Sequence, residues 1–536
     1  MGQIGTVQKN LLRRAAFGDG LRRNARRHPN KPLVIAYDQN QNRIVFTYQD
    51  INEKANRFAN AMLQLGIQKG DIVAVMSRNI PHYIIAWFGL TKIGAVLTGV
   101  NYTFKEKEVS YQINHAEPKV LIVEDNLIDL VQTAKNQMLS VKHYIAFNIT
   151  GKPLPEGWIE FAQLISENYP PAEPEIEIDD TDLAMLIYTS GTESFPKGVM
   201  IQHRNYLSST VLSFVLDVGL NLNDIFLYYM PFYTVTGLGT LTAAVVIGQT
   251  IVLPLTIDPA AALRIIQQEK VTTVVQTPAF YQKLAQAPGF EQSDLSSLQK
   301  CITYGGLMPR AMLEIWSKAA PHMKWGTYWG QSELSQLGTV GWFRTIEDIP
   351  GQDPSWIGKP VTTLEAKVVD EDENDVAIGF GELVCRGPST MFGYYKDEEK
   401  TLNNFKNGWV HTGDLVRIDE DGNLFFFDRK KDVVKTGGLN VSSYEVQDVI
   451  YKHPKVAEVA VIGLPDQFWS EIVTAVVVPK KGEELGEGDI LQLCKDSMAG
   501  YKVPKRVIFV EELPKDTQGK ILKRELRRMY ILTNGS

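Results

Sequence analysis

The chain has 536 residues, of which 44% are hydrophobic and 22% charged, and its formal net charge at pH 7 is −7. This length exceeds what one hydrophobic core normally supports, so two or more domains are expected. The negative charge argues against a nucleic-acid partner. No apolar run approaches the roughly 18 residues of a membrane-spanning helix, so no integral membrane segment is expected.

The three cysteines and the N-terminal segment indicate where the protein works. Cys301, Cys385 and Cys494 lie far apart without metal-ligand spacing, which is typical of buried thiols in a reducing compartment. The basic start, as far as Arg27, lacks the apolar core of a signal peptide and predicts a solvated amphipathic helix, with a transit peptide as the alternative. We expect a cytoplasmic protein and leave peripheral membrane association and a homodimer open.

Strands and helices alternate over the first part of the chain. A helix is predicted from Thr47 to Leu65, because Thr47 and Asp50 have the spacing of a capping box and Gly66 fits its end. Short apolar runs typical of buried strands lie at 71–75, 120–123, 144–147, 183–188, 225–229, 251–253 and 272–275. This alternation predicts parallel sheets covered by helices on both faces.

From about Gly358 the pattern changes to short strands separated by Asp/Gly turns, which predicts a small antiparallel barrel or sheet. After Lys431 a capping box at Ser442 and Glu445 begins a helix, and further strands follow. The predicted fold class is therefore α/β. A large N-terminal domain of residues 1–430 has two parallel-type αβ sheets to about 355 and a small β-barrel at about 356–430. A smaller, mobile C-terminal α+β domain occupies 431–536.

The stretch from Tyr188 to Val199, YTSGTESFPKGV, is typical of a polyphosphate-binding loop. Its small, hydroxylated and glycine residues and its one lysine can offer N–H groups, hydroxyls and a cation to a single partner. It is not a Walker A loop, because Pro196 precedes Lys197 and Gly198 follows it. The alternative is a flexible surface loop with one solvated lysine.

Three further motifs combine residue types that suit a magnesium nucleotide. The stretch Tyr328–Glu333, YWGQSE, offers a planar side chain for a purine, a hydroxyl for a phosphate and a carboxylate for Mg²⁺. Asp414 follows a Thr-Gly turn and could accept from vicinal hydroxyls, although an Asx-type turn is the alternative. The charge run 428–432 coincides with the predicted domain boundary. The alternative is a solvated face, which is what such runs usually form.

A fifth motif is the C-terminal polar loop with Lys520, which alone would be a surface residue. In this order, over about 46–526, the five motifs resemble the acyl-adenylate-forming superfamily of acyl-CoA synthetases, firefly-type luciferases and peptide-synthetase adenylation domains. The resemblance implies an ATP-dependent carboxylic acid–CoA ligase. The resemblance also implies a small-molecule carboxylic acid as substrate, together with ATP, Mg²⁺ and CoA.

The same resemblance implies roles for individual residues. Catalytic roles fall to Lys520, Glu333 and Ser332, and Thr189 and Glu333 flank the metal. The ATP- and AMP-binding residues that it implies are Thr189, Ser190, Gly191, Thr192, Lys197, Gly306, Trp329, Gly330, Gln331, Ser332, Asp414, Arg429, Lys435 and Lys520. Lys431 is the implied hinge, Gly437 and Gly438 the CoA-binding residues, and Tyr233, Thr234 and Gly305 the acyl-pocket residues. His411 we interpret as structural.

Three departures from the usual family pattern stand out. Glu193-Ser194 replaces Thr-Gly in the phosphate loop, Trp329 replaces a tyrosine, and Thr234 replaces a histidine or aromatic residue. A carboxylate beside a triphosphate repels it unless it is screened, so we expect Glu193 to point to solvent, with a second magnesium ligand as the alternative.

A medium- or long-chain fatty acid is the favoured substrate, because residues 237–252 are apolar and rich in small side chains. Aryl or branched acids are alternatives. Three other functions are weighed against this one: loading of a carrier protein, non-catalytic nucleotide binding, and a luciferase-like oxygenase.

Overall fold

A computed structural model describes residues 6–38, 40–189, 196–255, 258–304, 308–515 and 521–532. In chain order the strands are β1 Pro32–Tyr37, β2 Arg43–Thr47, β3 Ile72–Met76, β4 Val96–Val100, β5 Val120–Glu124, β6 His143–Phe147, β7 Trp158–Glu160, β8 Leu183–Thr189, β9 Lys197–Gln202, β10 Ile225–Leu227, β11 Thr250–Leu253, β12 Thr273–Gln276, β13 Lys300–Thr303, β14 Lys324–Trp329, β15 Thr339–Phe343, β16 Trp356–Pro360, β17 Glu365–Val369, β18 Gly379–Arg386, β19 Gly393–Tyr394, β20 Phe405–Lys406, β21 Trp409–Ile418, β22 Leu424–Arg429, β23 Val434–Thr436, β24 Leu439–Val441, β25 Val456–Asp466, β26 Ser470–Pro479 and β27 Arg506–Phe509.

The α-helices are α1 Thr6–Arg13, α2 Phe17–Arg27, α3 Tyr48–Gln64, α4 Pro81–Lys92, α5 Glu106–Ala116, α6 Ile128–Ala134, α7 Phe161–Leu164, α8 His203–Asn205, α9 Val211–Leu216, α10 Val235–Ile247, α11 Pro259–Glu269, α12 Pro278–Ala285, α13 Arg310–Ala319, α14 Glu398–Asn404, α15 Ser443–Tyr451, α16 Glu487–Ser497 and α17 Lys523–Leu532.

The first sheet, here called the large sheet, has the order β17-β18-β21-β22-β16-β15-β14-β13-β12-β10-β11-β1-β2. Its half from β14 to β1 pairs in parallel, as expected for strands that are rich in β-branched residues and buried on both faces. From β14 outward every pair is antiparallel, which includes the region predicted as a barrel. The change of direction occurs at β14, which ends at Trp329.

The second sheet has the order β19-β9-β8-β4-β3-β5-β6-β7. Most of its pairs are parallel, but β8 and β9 form an antiparallel hairpin in which Thr189 lies opposite Lys197. The described ends of the phosphate-loop motif therefore lie in this hairpin, Tyr188 and Thr189 in β8 and Lys197 to Val199 in β9. The helices α2, α3, α4 and α10 pack against one another, and their apolar residues belong to the main core.

The strands after Lys431 form a separate sheet, the small-domain sheet, of order β24-β23-β26-β25 with β27 beside β26. In the described part of the chain, each of these strands pairs only with another strand of this sheet. The apolar faces of α15 and α16 cover one side of it, and α17 packs against β25.

The local helix predictions are mostly confirmed. The Thr47 hydroxyl accepts from the Asp50 N–H while the Asp50 carboxylate accepts from the Thr47 N–H, so the capping box of α3 forms. At the second predicted box, the Ser442 hydroxyl does accept from the Glu445 N–H. The Glu445 carboxylate, however, pairs with Lys502 instead of reaching back, so this capping box is only half formed.

The N-terminal helix α2 is amphipathic as predicted, but the prediction that it is solvated is wrong, because its apolar face packs into the main core; the thiols agree with the sequence. The basic N-terminal segment contains the amphipathic helix α2, in which Phe17 and Leu21 are buried and Arg26 and Arg27 are exposed. All three cysteines are buried free thiols. Within the described ranges, no helix combines the length and the hydrophobicity that a bilayer crossing needs.

Candidate active site

Asp414 lies at the centre of the site and is fully buried. It sits on β21 directly opposite Arg429 of β22, and the Arg429 Nε lies 3.0 Å from its Oδ1. Its Oδ2 accepts from the Trp329 Nε1 at 2.7 Å and from the Gln331 Nε2 at 2.9 Å. Four residues that the sequence assigned to nucleotide binding are therefore in direct contact.

The turn after β14 holds Trp329 and Gln331 in place. Gly330 approaches the backbone of Gln336 so closely that a Cβ built on it would lie 1.6 Å from the Gln336 oxygen. The Gln331 Nε2 also donates to the Thr412 carbonyl at 2.9 Å, which ties the turn to the strand that carries Asp414. Glycine is needed at this position because any side chain would overlap the neighbouring backbone.

The other end of the site brings Glu333 and Lys197 to one tyrosine. The Tyr394 hydroxyl donates to the Glu333 Oε1 at 2.8 Å. The Lys197 ammonium lies 5.1 Å from the centre of the Tyr394 ring, within the range of a cation–π contact. Tyr394 on β19 therefore connects the phosphate-loop hairpin with the carboxylate that the sequence assigned to magnesium.

The donor set here suits a magnesium ion that a nucleotide brings with it. Mg²⁺ usually takes one or two carboxylates and completes its shell with phosphate oxygens and water. Glu333 offers one oriented carboxylate, and no group of three or more His, Cys, Asp or Glu residues in the described ranges could hold a metal without such help. Thr189 ends β8 opposite Lys197.

Several predicted residues lie outside the described part of the chain. In the phosphate loop these are Ser190, Gly191, Thr192, Glu193 and Ser194; elsewhere they are Gly305, Gly306 and Lys520. Their assignments stay predictions. Ser332 is described and begins the short 3₁₀ turn that carries Glu333.

The predicted acyl-pocket residues Tyr233 and Thr234 are both buried. The Thr234 hydroxyl donates to the Pro231 carbonyl at 2.8 Å and accepts from the Gly237 N–H at 3.0 Å. It is the N-cap of α10, the apolar helix Val235–Ile247. Thr234, which departs from the histidine or aromatic residue expected there, therefore caps the helix.

The predicted hinge Lys431 follows β22 in a turn where the Asp432 N–H donates to the Arg429 carbonyl at 2.7 Å. Although the Lys431 side chain is exposed, desolvation by its neighbours and the nearby Arg429 charge lower its pKa to about 8. Asp432 is paired with Arg527 of α17 at 2.7 Å. The C-terminal helix is thus anchored beside the predicted hinge.

A second contact joins the two sides of the predicted hinge. The Asp428 Oδ2 accepts from both the backbone N–H and the hydroxyl of Ser443, each at 2.7 Å. Lys523 donates to the same hydroxyl at 2.6 Å, and its pKa is lowered by burial. Burial also raises the pKa of Asp428. These bonds hold the small domain in the arrangement observed.

The residues predicted to contact the adenylate and CoA from the small domain lie on β23 and its turn. Gly437 and Gly438 both have positive φ, and the Gly437 N–H donates to the Trp469 carbonyl at 2.8 Å. The Lys435 N–H donates to the Glu471 carboxylate, and its side chain is exposed. Their hydrogen bonds lie within the small domain, so their predicted roles stay predictions.

Sequence reasoning missed two residues of this site, Tyr394 and Asp428. Tyr394 lies in a pair of tyrosines after Gly393, a composition that gives no functional signal by itself. Asp428 was visible only as part of a charge run. His411, interpreted as structural, lies between the carboxylates of Glu373 and Glu382.

Known proteins resemble this chain over nearly its whole length. The family model "AMP-binding enzyme" matches residues 21–395, and the model of the AMP-binding enzyme C-terminal domain matches 445–520. A long-chain-fatty-acid–CoA ligase of Escherichia coli O157:H7 is 32% identical over 95% of this chain and 93% of its own length.

Two solved structures share the whole architecture. An anthranilate CoA ligase in complex with anthranoyl-AMP is 28% identical, has a TM-score of 0.87, and aligns over 97% of this chain and 98% of its own. A fatty acyl CoA synthetase of Mycobacterium tuberculosis is 30% identical, has a TM-score of 0.75, and aligns over 97% of this chain and 99% of its own. The predicted α/β fold class and the predicted resemblance are thereby confirmed, and the chain belongs to the AMP-binding enzyme family.

Proposed function

We propose that the protein is an ATP-dependent carboxylic acid–CoA ligase that forms acyl-AMP and pyrophosphate and then transfers the acyl group to CoA, releasing AMP. The observation that carries this proposal is the convergence of Trp329, Gln331 and Arg429 on the buried carboxylate of Asp414, which unites three motifs of the sequence. The relatives support the chemistry, since those named above are CoA ligases or synthetases over nearly the whole chain.

In the first half-reaction the substrate carboxylate attacks the α-phosphorus of ATP, and the bond to the β-phosphate oxygen breaks. Asp414 holds the ribose, while Lys197 and the loop that precedes it hold the outer phosphates. Glu333 and Thr189 would hold Mg²⁺, which supplies electrostatic stabilisation of the phosphates when bound. Lys520 places a cation at the α-phosphate, where charge develops in the transition state.

In the second half-reaction the CoA thiolate attacks the acyl carbon and AMP leaves. We propose that Lys431 is the hinge between a domain of residues 1–430 and one of 431–536. Rotation there takes Lys520 away from the site and brings Gly438 towards it. Assigning the two chemistries to two arrangements of one small domain is a known gating device. The single short connection at Lys431, between the large sheet and the small-domain sheet, supports this division.

For the substrate we propose a medium- or long-chain fatty acid. The apolar helix α10 beside Tyr233 and Thr234 and the names of the E. coli and M. tuberculosis relatives support it. An aryl acid is the second candidate, favoured by the likeness to the anthranilate CoA ligase. We also propose a cytoplasmic location, which the three buried free thiols support.

A substrate panel tests the proposal. Pyrophosphate release is measured with ATP, Mg²⁺ and saturated fatty acids from eight to eighteen carbons, and with benzoate, anthranilate and branched acids. Each acid is assayed with CoA, with a carrier protein bearing phosphopantetheine, and with neither. We expect an acyl-CoA and AMP only when CoA is present. Formation of an acylated carrier protein without acyl-CoA would show that the acceptor is the carrier protein and not CoA. Absence of pyrophosphate release with every acid would refute the proposed ligase activity.

A further inference from the structure

Trp329 is one of the departures of this chain from the usual family pattern, and its contact with Asp414 is distinctive. The indole ring is nearly buried, and its Nε1 donates to the Asp414 Oδ2 at 2.7 Å. An indole N–H can only donate, so Trp329 is the donor in this hydrogen bond at every pH. Hydrogen bonds to an ionised carboxylate are among the strongest in proteins.

The two oxygens of Asp414 are used differently. Oδ2 accepts from Trp329 and also from the Gln331 Nε2 at 2.9 Å, which fills its two lone-pair positions. Oδ1 has Arg429 Nε at the ion-pair distance of 3.0 Å but no aligned hydrogen bond. Only Oδ1 therefore keeps acceptor capacity for a ligand.

We infer that Trp329 and Gln331 are positioning residues that saturate one oxygen of Asp414 and reserve the other for a ribose hydroxyl. This inference rests on the proposed use of ATP. The carboxylate cannot rotate to offer both oxygens to the nucleotide while the two donors hold it. Recognition of the ribose hydroxyls then depends on a residue 85 positions away in the sequence.

The consequence is a specific energetic coupling between Trp329 and the ribose. Removing the indole N–H while keeping an aromatic ring leaves the adenine contact and loosens Asp414. Trp329→Phe should therefore weaken ATP binding by about tenfold or more, as for a lost hydrogen bond to a charged group. Binding of 2′,3′-dideoxy-ATP should change by less than about threefold, because that nucleotide has no hydroxyl for Asp414 to hold.

The test is a set of dissociation constants for magnesium ATP and magnesium 2′,3′-dideoxy-ATP, measured by calorimetry on the full chain. Gln331→Leu is the second variant. It should also lower the preference for ATP over 2′,3′-dideoxy-ATP, and it provides the test if Trp329→Phe is unstable. Trp342→Phe is the matched control. It removes an indole bond to the Asp217 carbonyl, outside this cluster, and should leave the preference unchanged.

The possible results distinguish a failure of the positioning role from a failure of the proposed function. If the wild-type protein binds ATP and discriminates against the dideoxy nucleotide, and both site variants lose that discrimination, the inference is supported. Equal losses for both nucleotides in both variants would mean that the two residues act only through stacking or folding, which overturns it. Absence of ATP binding in the wild type would overturn the proposed function itself.

Discussion

Gly330 offers the sharpest test of how the site is built. A Cβ at this position would lie 1.6 Å from the Gln336 backbone oxygen, whereas real Cβ contacts are not shorter than 3.0 Å. Gly330→Ala must therefore displace one of the two backbones by at least 1.4 Å, the difference between these distances. No flexible side chain is available to absorb the overlap, since the blocking atom is a carbonyl.

The Gln336 side of this contact is firmly held. Its side-chain amide donates to the Thr240 hydroxyl at 2.6 Å, and the carbonyl of the preceding Ser335 accepts from the Thr210 hydroxyl at 3.1 Å. We therefore expect the turn from Trp329 to Gln331 to move instead. A shift of this size breaks the bonds of 2.7 and 2.9 Å to Asp414. Overpacking of this kind costs about 1–3 kcal/mol of stability.

The expected result for Gly330→Ala is a lower unfolding temperature and a loss of at least about tenfold in ATP affinity. Thermal unfolding with and without magnesium ATP measures both quantities, because a ligand that binds only the native state raises the midpoint. Gly488→Ala in α16 is the control, since its Cβ meets nothing within 4 Å. A Gly330→Ala protein with wild-type stability and wild-type ATP affinity would refute this reading of the turn.

Three further predictions concern the hinge, the altered loop and a buried histidine. Lys431→Pro fixes φ and removes a donor, so acyl-AMP formation should persist while CoA transfer falls; normal acyl-CoA output would exclude the hinge. Glu193→Thr should leave the magnesium dependence unchanged and the Michaelis constant for ATP level or lower; a much higher magnesium requirement would make Glu193 a metal ligand. Burial lowers the pKa of His203 to about 4, and its Nδ1 accepts from the Phe17 N–H. In the unfolded chain the pKa of a histidine is near 6.5, so the neutral His203 contributes fully to the free energy of unfolding above pH 6.5. This contribution, at most about 3 kcal/mol, is lost as the pH falls towards 4. Between pH 7.5 and 5, the free energy of unfolding measured in urea should fall less steeply for His203→Gln than for the wild type. An unchanged slope would contradict this prediction.

The sequence was most informative where structure depends on near neighbours. The helix from Thr47 could be predicted because its capping box and its apolar positions lie within a few residues of each other. The buried strands could be predicted because a strand covered on both faces needs an uninterrupted apolar run. The half-formed box at Ser442 shows the limit, since the distant Lys502 competes for Glu445.

The contacts that assemble the site could not be read from local patterns. Trp329 and Asp414 are 85 residues apart, and Glu333 and Tyr394 are 61 apart, so residue type alone gave candidates without partners. The parallel pattern of the sheets also gave no sign that β8 and β9 would form the antiparallel hairpin that brings Thr189 opposite Lys197. Strand pairing depends on the whole sheet, whereas a sequence motif shows only the residues of one strand or turn.

The central claim is that one site performs two separable half-reactions, and a rapid-quench experiment tests it most directly. The enzyme is mixed with magnesium ATP and its best acid, and CoA is added later; acyl-AMP, acyl-CoA and AMP are quantified at each time. We predict that acyl-AMP accumulates before CoA is added and is then converted into acyl-CoA and AMP. Lys520→Ala should slow the first step by orders of magnitude and leave the conversion of supplied acyl-AMP intact. Formation of acyl-CoA without any acyl-AMP, or an equal loss of both steps in Lys520→Ala, would contradict the account.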